Sequence, residues 1–336
     1  MTESPPIFDE IWTEKYRPST LPEIIGHEAI VGRLSAFIRA RSIPHMLFAG
    51  PAGVGKTTAA ICLAKDLFGD DWRENFSETN ASDERGIDVV RNKVKDFART
   101  KALGGGFKII FLDECDALTQ DAQNALRRTM ENYTRTCRFV LSCNYSNKII
   151  PPIQSRCAVF RFKRLDSADI RKYIERIVKC EKLKLADDGV EALIDASEGD
   201  LRRVTNLLQS AAAMSASKIS AEDIYSAAQK ASRKDVSQLL MQAVRGDFIE
   251  ARESLGKLLI GKGLAGEDVL KQMHELIQDI PGVSERNKVR LFDRLGEYDF
   301  RMSEGADERI QLDAFLAQVA LICSGNENDA GKENKE

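Results

Sequence analysis

Three short stretches of this 336-residue chain carry the side chains best suited to chemistry. The first is Gly50-Pro51-Ala52-Gly53-Val54-Gly55-Lys56-Thr57-Thr58, where Gly50 and Gly55-Lys56-Thr57 fit the spacing G-x-x-x-x-G-K-[ST]. Glycines there let backbone N–H groups converge on phosphate oxygens. A helix starting at Gly55-Lys56 adds a partial positive charge at its N-terminus. Lys56 can reach β and γ phosphates, and Thr57 can hold Mg²⁺. The second stretch is the apolar run from Lys108 to Leu112, closed by Asp113-Glu114. Asp113 can join the Mg²⁺ shell, and Glu114 can polarise a water toward the γ phosphate. The third, Arg138 to Cys143, ends in Asn144. Asn144 either bonds the γ phosphate or its attacking water, or simply terminates a strand.

These groups work together only if strands deliver them to one place. Leu47 to Ala49 reads as a short strand entering the glycine loop, and the helix after the loop runs to Gly69, a plausible C-cap. The runs at Lys108–Glu114 and Arg138–Asn144 read as buried strands, and carboxylates at such strand ends sit where open α/β sheets bind ligands. Helical spacing marks Ala29–Ile38, Ile87–Phe97 with a basic surface, and Ala122–Tyr133. Arg127 and Arg128 on the last of these bridge subunits, steer phosphates or are merely solvated. Trp12 to Pro18 either lies against a nucleotide base, with Arg17 near a phosphate, or is an arm packed for stability. His45 reads as packed beside its strand, and His274 as a surface or packed histidine.

The C-terminal half reads as helices only. Asp166–Leu185, Asp187–Ser197, Leu201–Ser215 and a short helix capped by Ser220 and Asp223 form one group. Ser232-Arg233-Lys234-Asp235 reads as a linker. Five amphipathic helices follow, with apolar faces that include Val236, Leu255, Val289, Ile310 and Phe315. The last residues, rich in Asn, Glu and Lys, are expected to be disordered. The chain is 43% hydrophobic and 30% charged with net charge −3, so nucleic-acid contact must come from a local patch. No apolar run approaches the ~18 residues of a membrane span. The N-terminus shows no signal pattern, and a cytoplasmic location is expected, nucleoid-associated, or nuclear in a eukaryote. Seven cysteines without a C-x-x-C pair argue against zinc and disulfides and for buried thiols.

Beyond the glycine loop, the chain resembles AAA+ clamp-loader small subunits of the replication factor C family, archaeal type. The resemblance rests on Glu14-Lys15-Tyr16-Arg17-Pro18, Asn80-Ala81-Ser82-Asp83-Glu84-Arg85-Gly86, Asp113-Glu114-Cys115-Asp116, Asn124-Ala125-Leu126-Arg127-Arg128, Ser155-Arg156-Cys157 and Gly199-Asp200-Leu201-Arg202-Arg203. It implies an α/β AAA+ P-loop NTPase domain with a parallel sheet (1–163), an all-α lid (164–231), an all-α collar for oligomerisation (232–323) and a tail (324–336). It implies ATP and Mg²⁺ as cofactors. Asn144 would serve as sensor 1 and Arg202 as sensor 2, while Arg156 would be an arginine finger acting on a neighbour's ATP. Thr13, Arg17 and Ile25 would line the adenosine side, and Arg85 and Arg91 would face duplex DNA. The implied partners are the replication factor C large subunit, other small subunits, the sliding clamp PCNA and primer–template DNA held through its phosphates; no membrane is involved. The implied activity is ATP hydrolysis that opens the clamp and places it on DNA. A branch-migration or initiator motor would instead need a DNA-binding module after the lid. A small-molecule P-loop kinase would need a substrate pocket, and a purely structural subunit would bind ATP without hydrolysing it.

Overall fold

The computed structural model describes residues 11–82, 93–100, 102, 106–215, 218–229 and 231–324. Arg85, Arg91, most of the basic helix expected at Ile87–Phe97, and the C-terminal tail lie outside the described residues. The chain divides into two compact units, Met1–Leu183 with Ser197–Gln209, and Lys184–Ala196 with Ser210–Glu336.

The first unit is built on a five-stranded sheet in the order β2-β3-β4-β1-β5. Its strands are β1 (His45–Ala49), β2 (Phe76–Asn80), β3 (Lys108–Asp113), β4 (Cys137–Cys143) and β5 (Cys157–Arg161), all parallel to their neighbours. The three central strands are the continuous apolar runs. Every residue of β1 is buried, as required of a strand covered on both faces. The edge strand β2 carries no such run and escapes a reading of hydrophobic pattern, whereas β5 does carry one, Cys157 to Phe160, that the sequence reading did not take up. β2 buries only Phe76, and β5 only Phe160. In register, Met46 faces Val140, and Val140 faces Phe111. The glycine loop, Asp113 and Asn144 therefore leave the sheet side by side.

Local signals set the helix ends. Lys56–Phe68 starts after Gly55 (φ 92) and ends at Gly69 (φ 58), both in conformations that favour glycine. Gln120–Asn132 is capped by the Thr119 hydroxyl, and Ser167–Glu181 by the Asp166 carboxylate.

Among the described residues beyond 231, every element of the second unit is helical. The Ser220–Asp223 capping box is formed, with each side chain bonding the other's backbone N–H. Ser232 to Asp235 is not a linker: Ser232 caps, and Arg233 begins, the helix Arg233–Val244. The five later helices share one core that includes Val236, Leu255, Leu270, Leu291 and Phe315. Val289 and Ile310 point outward instead, 66% and 64% exposed. Helical spacing identifies a stripe, and the neighbours decide how much of its margin is covered.

Candidate nucleotide-binding site

A cleft opens at the C-terminal ends of β1, β3 and β4, entirely within the first unit. Its floor is Ala52 to Thr58 with Asp113, Glu114 and Asn144. One wall comes from the N-terminal segment, with Thr13, Arg17, Pro18, Ile24 and Ile25; the other has Tyr173, Leu201, Arg202 and Thr205.

Two loop glycines are structurally required. A Cβ on Gly50 would lie 2.3 Å from the Phe162 carbonyl oxygen, and one on Gly53 (φ 68) would lie 1.7 Å from Asp200 Oδ1. The Asp200 contact brings the loop against the start of the helix Leu201–Met214, and Leu201 N–H donates to the Gly53 carbonyl at 3.1 Å. Asp200 also caps that helix by accepting from Arg203 N–H at 3.0 Å. One turn thus places both the glycine loop and Arg202.

The charged groups form a connected set. Lys56 Nζ donates to the carbonyls of Gly50 at 2.6 Å and Pro51 at 2.7 Å, and to Asn144 Oδ1 at 2.9 Å. These are the three donors of an ammonium. Burial lowers the Lys56 pKa, and the nearby Asp113 carboxylate opposes that shift. Thr57 Oγ1 donates to Asp113 Oδ2 at 2.6 Å, and Asp113 Oδ1 accepts from Glu114 N–H at 2.9 Å. Glu114 has φ 52, an uncommon conformation for a residue with a side chain, of the kind found where function requires it. Asp116 holds the end of β4, accepting from Asn144 and Tyr145 N–H at 3.4 and 3.2 Å.

The N-terminal arm is packed and also lines the cleft. Trp12 and Tyr16 are buried, and Trp12 N–H donates to Gln209 at 3.2 Å. Tyr16 and Lys15 both bond Glu181. Desolvation and that carboxylate push the Tyr16 pKa up. Arg17 pairs with Glu14 at 2.7 Å.

Lys56, Thr57, Asp113, Glu114, Asn144, Arg202, Thr13, Arg17 and Ile25 thus meet at one cleft. Arg156 does not line it; its guanidinium bonds Glu131 at 2.6 Å and the Pro152 carbonyl at 2.8 Å. Arg128 is exposed, while Arg127 is partly buried and directed at Glu131. Tyr173, Thr205 and Ile24 escaped the sequence reading as site residues, and Asp116 entered it only within a motif, without a role. Thr205 had a usable signal, being one helical step from Leu201, to whose carbonyl its hydroxyl donates.

His45 is buried, with Nδ1 accepting from Phe139 N–H at 3.1 Å. His274 packs edge-on against Phe292. All seven cysteines are free thiols; four are buried and Cys180 is exposed. No helix among the described residues is long and apolar enough to cross a membrane.

Residues 46–165 match the family model for the ATPase family associated with various cellular activities (AAA), and residues 231–318 match the replication factor C C-terminal domain. Curated relatives include the replication factor C small subunit of Methanococcus maripaludis, 54% identical over 93% of this chain and 98% of its own length. That of Archaeoglobus fulgidus is 53% identical with the same coverage, and that of Methanosarcina barkeri is 52% identical over 95% of this chain and 98% of its own. Among solved structures, the Thermotoga maritima RuvB Holliday junction branch migration motor superposes with a TM-score of 0.53 at 19% identity, covering 76% of this chain and 91% of that one. At that identity the likeness concerns the fold alone.

Proposed function

The chain belongs to the replication factor C small-subunit family, archaeal type, and is an AAA ATPase of a clamp loader; from that premise we propose how its cleft turns over ATP and what the complex acts on. Thr57 Oγ1 and Asp113 Oδ2, 2.6 Å apart on the cleft floor, are hard oxygen donors of the kind Mg²⁺ takes. They would hold the ion, which would neutralise charge on the phosphates. A triphosphate in the glycine cradle takes over donors that Lys56 now gives to Gly50 and Pro51. Asn144, tethered to Lys56, orients the attacking water. Glu114, on the exposed lip beside Asp113, accepts that water's proton as the oxygen attacks the γ phosphorus and the bond to the β–γ bridging oxygen breaks, with ADP as the leaving group. Arg202, on the helix pinned to Gly53, reads the phosphates and couples them to the helical segment 164–231. Thr13, Arg17 and Ile25 hold the adenosine side.

Arg156 belongs to a different reaction centre, that of an adjacent subunit's ATP, where its charge stabilises the transferring phosphoryl group. In this reading the helices of 232–323 form the collar that keeps the subunits together. The complex comprises replication factor C large and small subunits. It opens the sliding clamp PCNA and sets it on primer–template DNA, gripping phosphates through Arg85 and Arg91. Such contacts carry no base readout and weaken with salt.

The carrying observation is that four motif residues from three separate strand ends are hydrogen-bonded in pairs, Thr57 with Asp113 and Lys56 with Asn144. The test is steady-state phosphate release by the assembled complex with and without clamp and primed DNA. Both together should stimulate wild-type turnover. Glu114→Gln should still bind ATP but lose about 10²-fold or more in turnover, the scale of a general base. Turnover indifferent to clamp and primed DNA, or unchanged by Glu114→Gln, refutes the reading.

A further inference from the structure

Arg156 is attached to its own chain in a way that the trans role alone does not require. Its Nη2 lies 2.6 Å from Glu131 Oε1, and its Nη1 donates to the Pro152 carbonyl at 2.8 Å. Glu131 sits in the last turn of the helix Gln120–Asn132, which is anchored in the sheet core through Ala122, Leu126 and Met130. Pro152 belongs to the short helix Pro151–Gln154, just before Arg156. The guanidinium is therefore gripped from two rigid elements. Nη1 also reaches the Ser155 hydroxyl at 3.5 Å, so three of its five N–H donors are engaged and two are left for phosphate oxygens.

We infer that Glu131 is the positioning residue of Arg156, holding the guanidinium at a fixed place and angle before a neighbour's nucleotide reaches it. The inference rests on the trans reading of Arg156. Three observations favour positioning over a structural role. Both side chains of the pair are 39% exposed, and a half-exposed ion pair adds little to folding stability. The same Glu131 oxygen lies 3.9 Å from Arg127 Nε, so two guanidinium groups face one carboxylate and the cluster keeps a net positive charge. A one-to-one pair would have cancelled the charge that a phosphate must feel. Finally, a long arginine side chain left free would have to be ordered at the moment of reaction. Anchoring it beforehand removes that loss, and misplacement of a catalytic group by about 1 Å can lower a rate roughly 100-fold.

The experiment isolates the effect on a neighbour. Assemblies of this chain with its large subunit are doped with copies carrying Lys56→Ala, whose own sites are inactive but whose Arg156 still serves the next subunit. A second set is doped with Lys56→Ala/Glu131→Ala copies, a third with Lys56→Ala/Arg156→Ala copies, and a fourth with all three changes. Residual ATP turnover then comes from wild-type pockets alone. Turnover at pockets facing a Glu131→Ala copy should fall at least tenfold below the Lys56→Ala reference, with the KM for ATP little changed. The triple variant should be no worse than Lys56→Ala/Arg156→Ala, because the two residues act as one unit. Glu131→Gln, which keeps an acceptor oxygen, should recover part of the loss. A purely structural defect would instead weaken nucleotide binding by a copy carrying Glu131→Ala alone, with Lys56 intact, which a fluorescent ATP analogue reads directly. If Arg156→Ala copies depress neighbouring turnover and both Glu131 variants do not, the positioning role is wrong while the trans finger stands. If Arg156→Ala copies change nothing either, the trans reading fails and the inference goes with it.

Discussion

Acidification should destabilise the first unit through one histidine at the root of the nucleotide cradle. His45 opens β1, the strand that ends in the glycine loop, and is only 8% exposed. Its Nδ1 accepts the Phe139 N–H, and its ring also bonds the backbone at Met130. A proton on Nδ1 would set one N–H against another in a buried place. Burial first, then the nearby Arg138 cation, pushes its pKa down from 6.5 to about 4. Between those values the unfolded chain binds the proton and the folded chain does not, so stability rises with pH across the window and is lost as pH falls through it. Worked through for 6.5 and about 4, lowering the pH from 7 to 5 removes about 2 kcal/mol. The assay is urea denaturation at both pH values followed by tryptophan emission. Both tryptophans, Trp12 and Trp72, belong to the first unit. His45→Asn supplies an acceptor oxygen near the Nδ1 position but does not titrate. The variant should lose about 2 kcal/mol less than wild type over the same step. His27, whose pKa is also lowered by burial, and the carboxylates are present in both proteins and subtract out. Equal losses in the two proteins would refute the assignment.

Gly53→Ala drives a methyl group into the Asp200 carboxylate at a position with φ 68, so the loop must leave the helix that carries Arg202. ATP affinity should fall about tenfold or more, which corresponds to roughly 1.4 kcal/mol; titration with a fluorescent ATP analogue checks this, and an unchanged Kd contradicts it. Phe315→Ala empties a fully buried position in the core of the second unit. It should cost about 3–5 kcal/mol in the denaturation transition of that unit, followed by far-UV circular dichroism, while ATP affinity stays as it was.

How much of this was legible in advance depended on the range of each signal. The central strands could be read because burial on both faces demands an unbroken apolar run, as in Lys108–Asp113. At the sheet's edges one neighbour and partial exposure leave no such demand: Phe76–Asn80 has no apolar run, and the run Cys157–Phe160 buries only Phe160. Caps such as Ser220 with Asp223 were readable because donor and acceptor are three residues apart. Ser232 gives the same kind of signal, yet its polar company reads as a linker until the helix behind it is seen to pack.

The amino-acid sequence by itself singled out the groups proposed to handle phosphate and metal, since the glycine loop, Lys56, Thr57, Asp113 and Glu114 stand out by residue type and local spacing. Only the tertiary structure decided who holds whom: Lys56 on Asn144, Gly53 beneath Asp200, and Glu131 gripping Arg156. Those pairs are separated by 88, 147 and 25 positions along the chain. Local pattern has no reach over such distances, and parallel strand order with helix packing is what brings the partners within bonding range.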